Sequence, residues 1–98
     1  MIRHVALFTV IEEKKAEKNA LIAEAARRLA PLVGQVPGLK SIEVHTDELG
    51  GDNFDFAIIA VMDDLEAVRV YGSHPAHVEA AGFIGTFRGS RAVVDYEF

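Results

Sequence analysis

Apolar residues recur along the chain with two different periods. Over residues 2–10 (IRHVALFTV) they alternate, with Ile2, His4, Ala6, Phe8 and Val10 on one side and Arg3, Val5, Leu7 and Thr9 on the other. From Val5 onward both sides are mostly apolar, which predicts a central β-strand covered on both faces. Residues 39–46 (LKSIEVHT) set Ile42 and Val44 against Glu43 and His45. Residues 54–62 (FDFAIIAVM) form the most apolar run, with Phe54, Phe56, Ile58, Ala60 and Met62 sharing a face. Both predict strands, and residues 91–97 (RAVVDYE) predict a last one. Between the strands the period becomes helical. Within 13–34, Leu21, Ala25, Leu29 and Leu32 make one stripe among good helix formers. Pro31 predicts a kink or an early end there, and Gly34 a C-cap. Val36-Pro37-Gly38 reads as a turn, and residues 47–53 (DELGGDN) as a loop. Asp63 is expected to cap a second helix, with Glu66 completing a capping box and Leu65, Val68 and Tyr71 as its stripe. Gly72-Ser73 interrupts that helix. Ser73 or His74, followed by Pro75, restarts a short one. Residues 80–88 (AAGFIGTFR) predict an irregular segment anchored by Phe83, Ile84 and Phe87.

The order is β-α-β-β-α-β, which places the chain in the α+β class as a ferredoxin-like fold with an antiparallel sheet. Residues 1–98 read as a single domain, with no internal repeat, linker or low-complexity run. In this arrangement two helices cover one sheet face and leave the other open. The strands are apolar on both faces, and a bare apolar face of several hundred Å² is unusual on a monomer. A second copy is therefore expected to cover it, giving a homodimer that closes into a dimeric α/β barrel.

Composition narrows the chemistry. Half of the 98 residues are hydrophobic, and cysteine is absent. The lack of thiols excludes disulfides, Fe–S clusters and thiolate zinc sites, and suits a cytoplasmic location. A net charge of −5 argues against a nucleic-acid partner. No apolar run approaches the ~20 residues of a membrane span, so no membrane partner is expected. Met1-Ile2-Arg3-His4 leads straight into a strand without the small-residue cleavage site of a signal peptide. His74 and His77 stand three apart, but zinc takes three or four ligands and His45 lies on a different element, so no metal site is expected. His74 reads as a cap. Gly50-Gly51 is no phosphate cradle, since no helix start with Lys or Ser follows it. Asp95 is expected to accept backbone or arginine hydrogen bonds at the strand end, and Tyr96 to pack at the dimer seam. Residues 12–18 (EEKKAEK) read as a solvated, self-paired charged face.

Four segments carry a family resemblance in register: Ile2-Arg3-His4-Val5, Val36-Pro37-Gly38, Tyr71-Gly72-Ser73-His74-Pro75-Ala76-His77-Val78 and Val94-Asp95-Tyr96. Together they resemble the stress-responsive dimeric A/B barrel (Dabb) proteins over almost the whole chain. The resemblance implies a homodimer with a central barrel, helices outside, and a cavity between each sheet and its helices. One plant member is a polyketide cyclase that closes a linear polyketide-CoA by an intramolecular aldol reaction without metal or cofactor. By that likeness His77 would be the general base, assisted by Tyr71, and His4 would be a further pocket histidine. A third pocket histidine of the cyclase is Phe56 here, which implies a less polar pocket.

Imidazole suits the role, since it gains and loses a proton near neutral pH. Bland readings stand beside these. His77 would bond a backbone carbonyl and hold its helix down, Tyr71 would be a core-edge residue, and His4 a satisfied buried histidine. The expected site thus comprises His77, Tyr71 and His4, with Phe8, Leu21, Ala25, Phe56, Ile58 and Phe83 as ligand-binding walls and no cofactor. Three functions fit: a binder of a small hydrophobic or aromatic metabolite, a cofactor-free cyclase or lyase, or a stress protein whose property is assembly. An open cavity with His77 and Tyr71 converging favours the second; a cavity filled by the protein's own side chains favours the third.

Overall fold

Alternation along the strands sets the architecture. In the computed structural model, which covers residues 1–98, four strands form one antiparallel sheet: β1 (Ile2–Val10), β2 (Leu39–Thr46), β3 (Phe56–Met62) and β4 (Arg88–Glu97). Their order across the sheet is β2-β3-β1-β4. This is the ferredoxin-like arrangement, with the first and third strands central as their two-sided apolar pattern requires. On one face Ile2, Ala6, Phe8 and Val10 of β1 are buried beside Phe56, Ile58, Ala60 and Met62 of β3. Three helices cover that face: α1 (Lys18–Leu29), α2 (Leu65–Ser73) and α3 (Pro75–Gly85). The core joins them through Ile22, Ala25, Leu29, Ala67, Tyr71, Ala80 and Ile84.

The local signals resolve with four corrections. Helix α1 stops at Leu29 and Pro31 sits in a 3-10 turn over Ala30–Gly34, as the proline demands. Its buried stripe, however, is Ile22, Ala25, Leu29 and Leu32. Leu21 is only half-buried, because it lies one residue, or 100° of helix, off that line.

The segment before α1, Glu12–Glu17, is a 3-10 helix rather than an α-helix, and it is not simply self-paired. Residues three apart eclipse in 3-10 geometry. Lys15 and Lys18 accordingly both reach the buried Asp55, at 2.8 and 3.5 Å.

Asp64, not Asp63, caps α2, its carboxylate accepting from the Ala67 amide at 2.9 Å. Glu66 then falls at the second helical position, too early for a capping box, and Asp63 pairs with Lys40 at 3.4 Å.

Residues 80–85 are helical, because Ala80 and Ile84, four apart, both seat in the core while Gly82 and Gly85 stay exposed, Gly85 beside a cavity between the sheet and the helices. There glycine costs only its propensity, about 1 kcal/mol each. Strand β4 starts correspondingly early, at Arg88.

The turn at Gly38 requires glycine. Its φ is +83°, and a β-carbon there would lie 2.6 Å from the Ala67 methyl. The opposite sheet face carries no helix. Val5, Ala57, Ile59 and Val61 on it are only half-buried, and Leu7 and Val94 are 36% and 55% exposed.

Candidate functional site

The break between α2 and α3 builds the site. Tyr71 lies in the last turn of α2, where the C-terminal carbonyls lack helical partners. His74 ends that helix and caps the next, its Nδ1 accepting from the Ala76 amide at 3.1 Å, and Pro75 takes the first helical position. One half-turn on, the His77 Nδ1–H donates to the orphaned Gly72 carbonyl at 3.3 Å. The His77 ring thereby stands over Tyr71, with centroids 4.1 Å apart. From the sheet below, His4 meets the other side of Tyr71 at 5.7 Å, edge to face. The His4 ring is fixed from β4, where the Asp95 carboxylate accepts from its Nδ1–H at 2.6 Å. These three rings line one end of a cavity of about 260 Å³ between the sheet and the helices. Ala6, Phe8, Leu29, Ile58, Ala81 and Ile84 make its apolar walls, and Arg88 and Arg91 stand at its rim.

Each ring keeps one polar atom free. The only side-chain bonds of His4 and His77 use Nδ1, and the Tyr71 hydroxyl has no protein partner. No interior side-chain N or O is both buried and unpaired, so His4 Nε2, Tyr71 Oη and His77 Nε2 keep accessible surface on residues that line the cavity. Because its Nδ1 holds the proton, neutral His77 presents a lone pair at Nε2. Burial holds the His77 pKa below the ordinary 6.5, against the Gly72 hydrogen bond, and the charges of His4, Arg91 and His74 add to the lowering. Its place in the first turn of α3, at the positive end of the helix, opposes protonation in the same sense. Burial also pushes the Tyr71 hydroxyl up to about 12, with Arg91 pulling it slightly down, so it stays a neutral donor. The group thus offers a neutral imidazole base beside a phenol donor within an apolar wall. Nowhere do three His, Asp or Glu side chains converge as metal ligands.

Comparison with known proteins bears on the family and the fold. The family model described as the stress responsive A/B barrel domain matches residues 2–98. The chain belongs to the Dabb family. An uncharacterized protein of Streptomyces coelicolor is 32% identical to this Dabb chain over the full length of both. Among solved structures, a dimeric ferredoxin-like protein of unknown function from Bacteroides fragilis matches with a TM-score of 0.90 at 28% identity, over 99% of this chain and 95% of that one. A dimeric ferredoxin-like protein of unknown function from Thermobifida fusca matches with a TM-score of 0.83 at 28% identity, over 99% and 90%. No helix of the Dabb chain is long and apolar enough to cross a membrane.

Of the residues expected at the site, His77, Tyr71, His4, Phe8 and Ile58 line the cavity of this Dabb domain together. Phe56 lies beside Phe8 as its ladder partner on the same sheet face, 2% exposed, stacked on it at 5.0 Å and outside the cavity lining. Ala25 is packed into the core, and Leu21 flanks it. Phe83 turns away, against Phe87 and under the Arg28 guanidinium at 4.1 Å, because Ala80, Ala81 and Ile84 hold the inner side of α3. Asp95 binds His4 rather than backbone or arginine. Leu29, Ala81, Ile84, Arg88 and Arg91 line the cavity without having been expected there. Strand pairing carried the missing signal for Arg91 and Asp95, which face Phe8 and His4 across the β1–β4 ladder.

Proposed function

We propose that this Dabb chain is a homodimer that binds a small apolar or aromatic metabolite in the cavity and catalyses cofactor-free proton abstraction there, in the manner of a cyclase or lyase. One observation carries the reading. In a cavity left open by the protein's own side chains, with apolar walls and two arginines at the rim, three rings that each keep an unpaired polar atom (His77 Nε2, Tyr71 Oη and His4 Nε2) share one end. A protein whose only property is assembly would be expected to fill that space.

His77 Nε2 takes a proton from a carbon flanked by carbonyls. The Tyr71 hydroxyl donates to the oxygen that becomes an enolate, and His4, its Nδ1–H held by Asp95, presents the Nε2 lone pair to a donor group of the ligand. The bond from His77 to Gly72, expected of a merely structural histidine, here also leaves Nε2 as the basic nitrogen. Dimerisation is supported by the uncovered apolar face and by the dimeric state of the Bacteroides fragilis and Thermobifida fusca relatives.

The test follows deuterium incorporation at the acidic carbon of ethyl benzoylacetate in D2O by proton NMR. The wild type should accelerate exchange, and His77→Ala should lose about 10²–10⁴-fold of that acceleration, the range of a general base. Tyr71→Phe should lose less. Equal exchange by wild type and His77→Ala would remove His77 from the chemistry.

A further inference from the structure

Every lysine and arginine but three has a carboxylate partner. Lys14 pairs with Glu17, Lys15 and Lys18 with Asp55, Arg27 and Arg28 with Glu24, Lys40 with Asp63, and Arg69 with Glu66. Of the remaining three, Arg3 donates to the Tyr96 hydroxyl at 3.0 Å and lies 3.8 Å over the Phe98 ring. Arg88 and Arg91 alone have neither a carboxylate nor an aromatic partner; the Arg88 side chain donates only to the neighbouring Gly89 carbonyl at 3.2 Å. In a chain with 15 acidic and 10 basic residues, leaving these two cations unpaired runs against the composition. Both are in the same place, at the rim of the cavity, three residues apart on β4.

We infer that the cavity takes a small organic acid, its carboxylate held by Arg88 and Arg91 at the rim and its apolar body lying against Phe8, Leu29, Ile58 and Ile84. The inference rests on reading the cavity as a ligand site and adds the class of ligand. Guanidinium presents paired N–H donors in the geometry of a carboxylate, and stays charged at any working pH. Both arginines are exposed, so a carboxylate at the rim keeps part of its hydration, while the interior offers no cation to a charge carried deeper. Arg91 lines the same cavity as the Tyr71 and His77 rings. An anion seated on it is therefore close enough to present its apolar body to them. The size is bounded as well. A cavity of about 150 Å³ accepts one benzene ring, so about 260 Å³ holds one ring with a short substituent.

The probes are phenylacetate and its neutral isostere phenylacetamide, titrated against the 15N-labelled protein and followed by amide chemical shifts. Phenylacetate should shift the amides of Tyr71, His77 and Arg91, and bind at least about tenfold more tightly than the amide, the ratio of one charge-assisted hydrogen bond. The Arg88→Gln, Arg91→Gln double variant should bind phenylacetate no better than phenylacetamide. Arg69→Gln, which removes a charge on the outer side of α2, should leave the ratio unchanged. Equal binding of acid and amide by the wild type would overturn the assignment of an acid and leave the cavity a neutral-ligand site. So would an Arg69→Gln loss as large as that of the double variant. If neither compound shifts a cavity amide, the ligand-site reading falls and takes this inference with it.

Discussion

A base that works on a ligand and a clamp that holds a helix differ in what their removal does to stability, and His77→Ala separates the two. Three terms set the cost. The Nδ1–H bond to Gly72 is long, at 3.3 Å, so its net worth lies at the low end of the about 0.5–1.5 kcal/mol of an ordinary hydrogen bond. The contact with the Tyr71 ring adds about 0.5 kcal/mol, the low end for aromatic pairs. Alanine returns about 0.5 kcal/mol through its better helix propensity. Truncation only enlarges a cavity that is already open, so no new enclosed void arises. The net cost is about 0.5–1 kcal/mol, which lowers Tm by roughly 3–6 °C in a domain of this size.

Asp55→Ala supplies the contrast. Asp55 is buried and its Oδ2 accepts from the Val10 amide at 2.6 Å and from Lys15 at 2.8 Å. Its removal strands the buried Val10 N–H, at about 1–3 kcal/mol, while the two lysines, each about a third exposed, rehydrate cheaply. A loss of about 1–3 kcal/mol follows, with Tm falling by roughly 6–18 °C. Circular dichroism melts at one fixed protein concentration measure both, since an associating chain melts in a concentration-dependent way. A drop for His77→Ala that equals or exceeds the drop for Asp55→Ala would show that His77 is a structural clamp, and the catalytic argument would lose its footing.

Two further outcomes follow from the same geometry. Size-exclusion chromatography with light scattering should give twice the 10.7 kDa chain mass at micromolar concentration, and Leu7→Lys with Val94→Lys should yield monomer or insoluble protein; a wild-type monomer would sink the dimer. Stability should fall with acid in two steps, read as urea midpoints against pH. His77 takes up a proton less readily folded than unfolded, so its step begins as pH drops below about 6.5 and disappears in His77→Ala. For Asp55, burial raises the carboxyl pKa but is outweighed by Lys15, the Val10 amide and Lys18, which hold it below the ordinary value. Its contribution is present above about 3.9 and is lost as pH falls through the folded value; Glu24 and Asp47 are shifted the same way, so Asp55→Asn should shrink that second step and leave their share. A single step shared by both variants would contradict the assignment.

The fold was legible because its signals are local and repeat. Alternation over 2–10 and 54–62 named the two central strands and the residues they bury, and Pro31 marked the end of α1 to within two residues. What failed was decided by partners distant in sequence. Nothing local says that Lys15 and Lys18 serve an aspartate some 40 residues on, yet Asp55 draws the 12–17 segment away from a solvated α-helix. The glycines at 82 and 85 suggested an irregular stretch, but burial of Ala80 and Ile84 outweighed their propensity.

The site divides along the same line. His77 and Tyr71 could be found because one feature, the Gly72-Ser73-His74-Pro75 break, both ends α2 and starts α3, so six residues of sequence place the two rings 4.1 Å apart. Asp95 and Arg91 could not be found that way, since each acquires its meaning from β1, across a ladder joining the two ends of the chain. That ladder sets both inner-face neighbours at once: the register that puts Asp95 opposite His4 puts Arg91 opposite Phe8. A slip of one residue would turn both side chains to the other sheet face. The orientation of His4 and the charge at the cavity rim are therefore a single property of β1–β4 pairing. A substitution that shifts that register should remove both together while leaving the His77–Tyr71 pair on the helices in place.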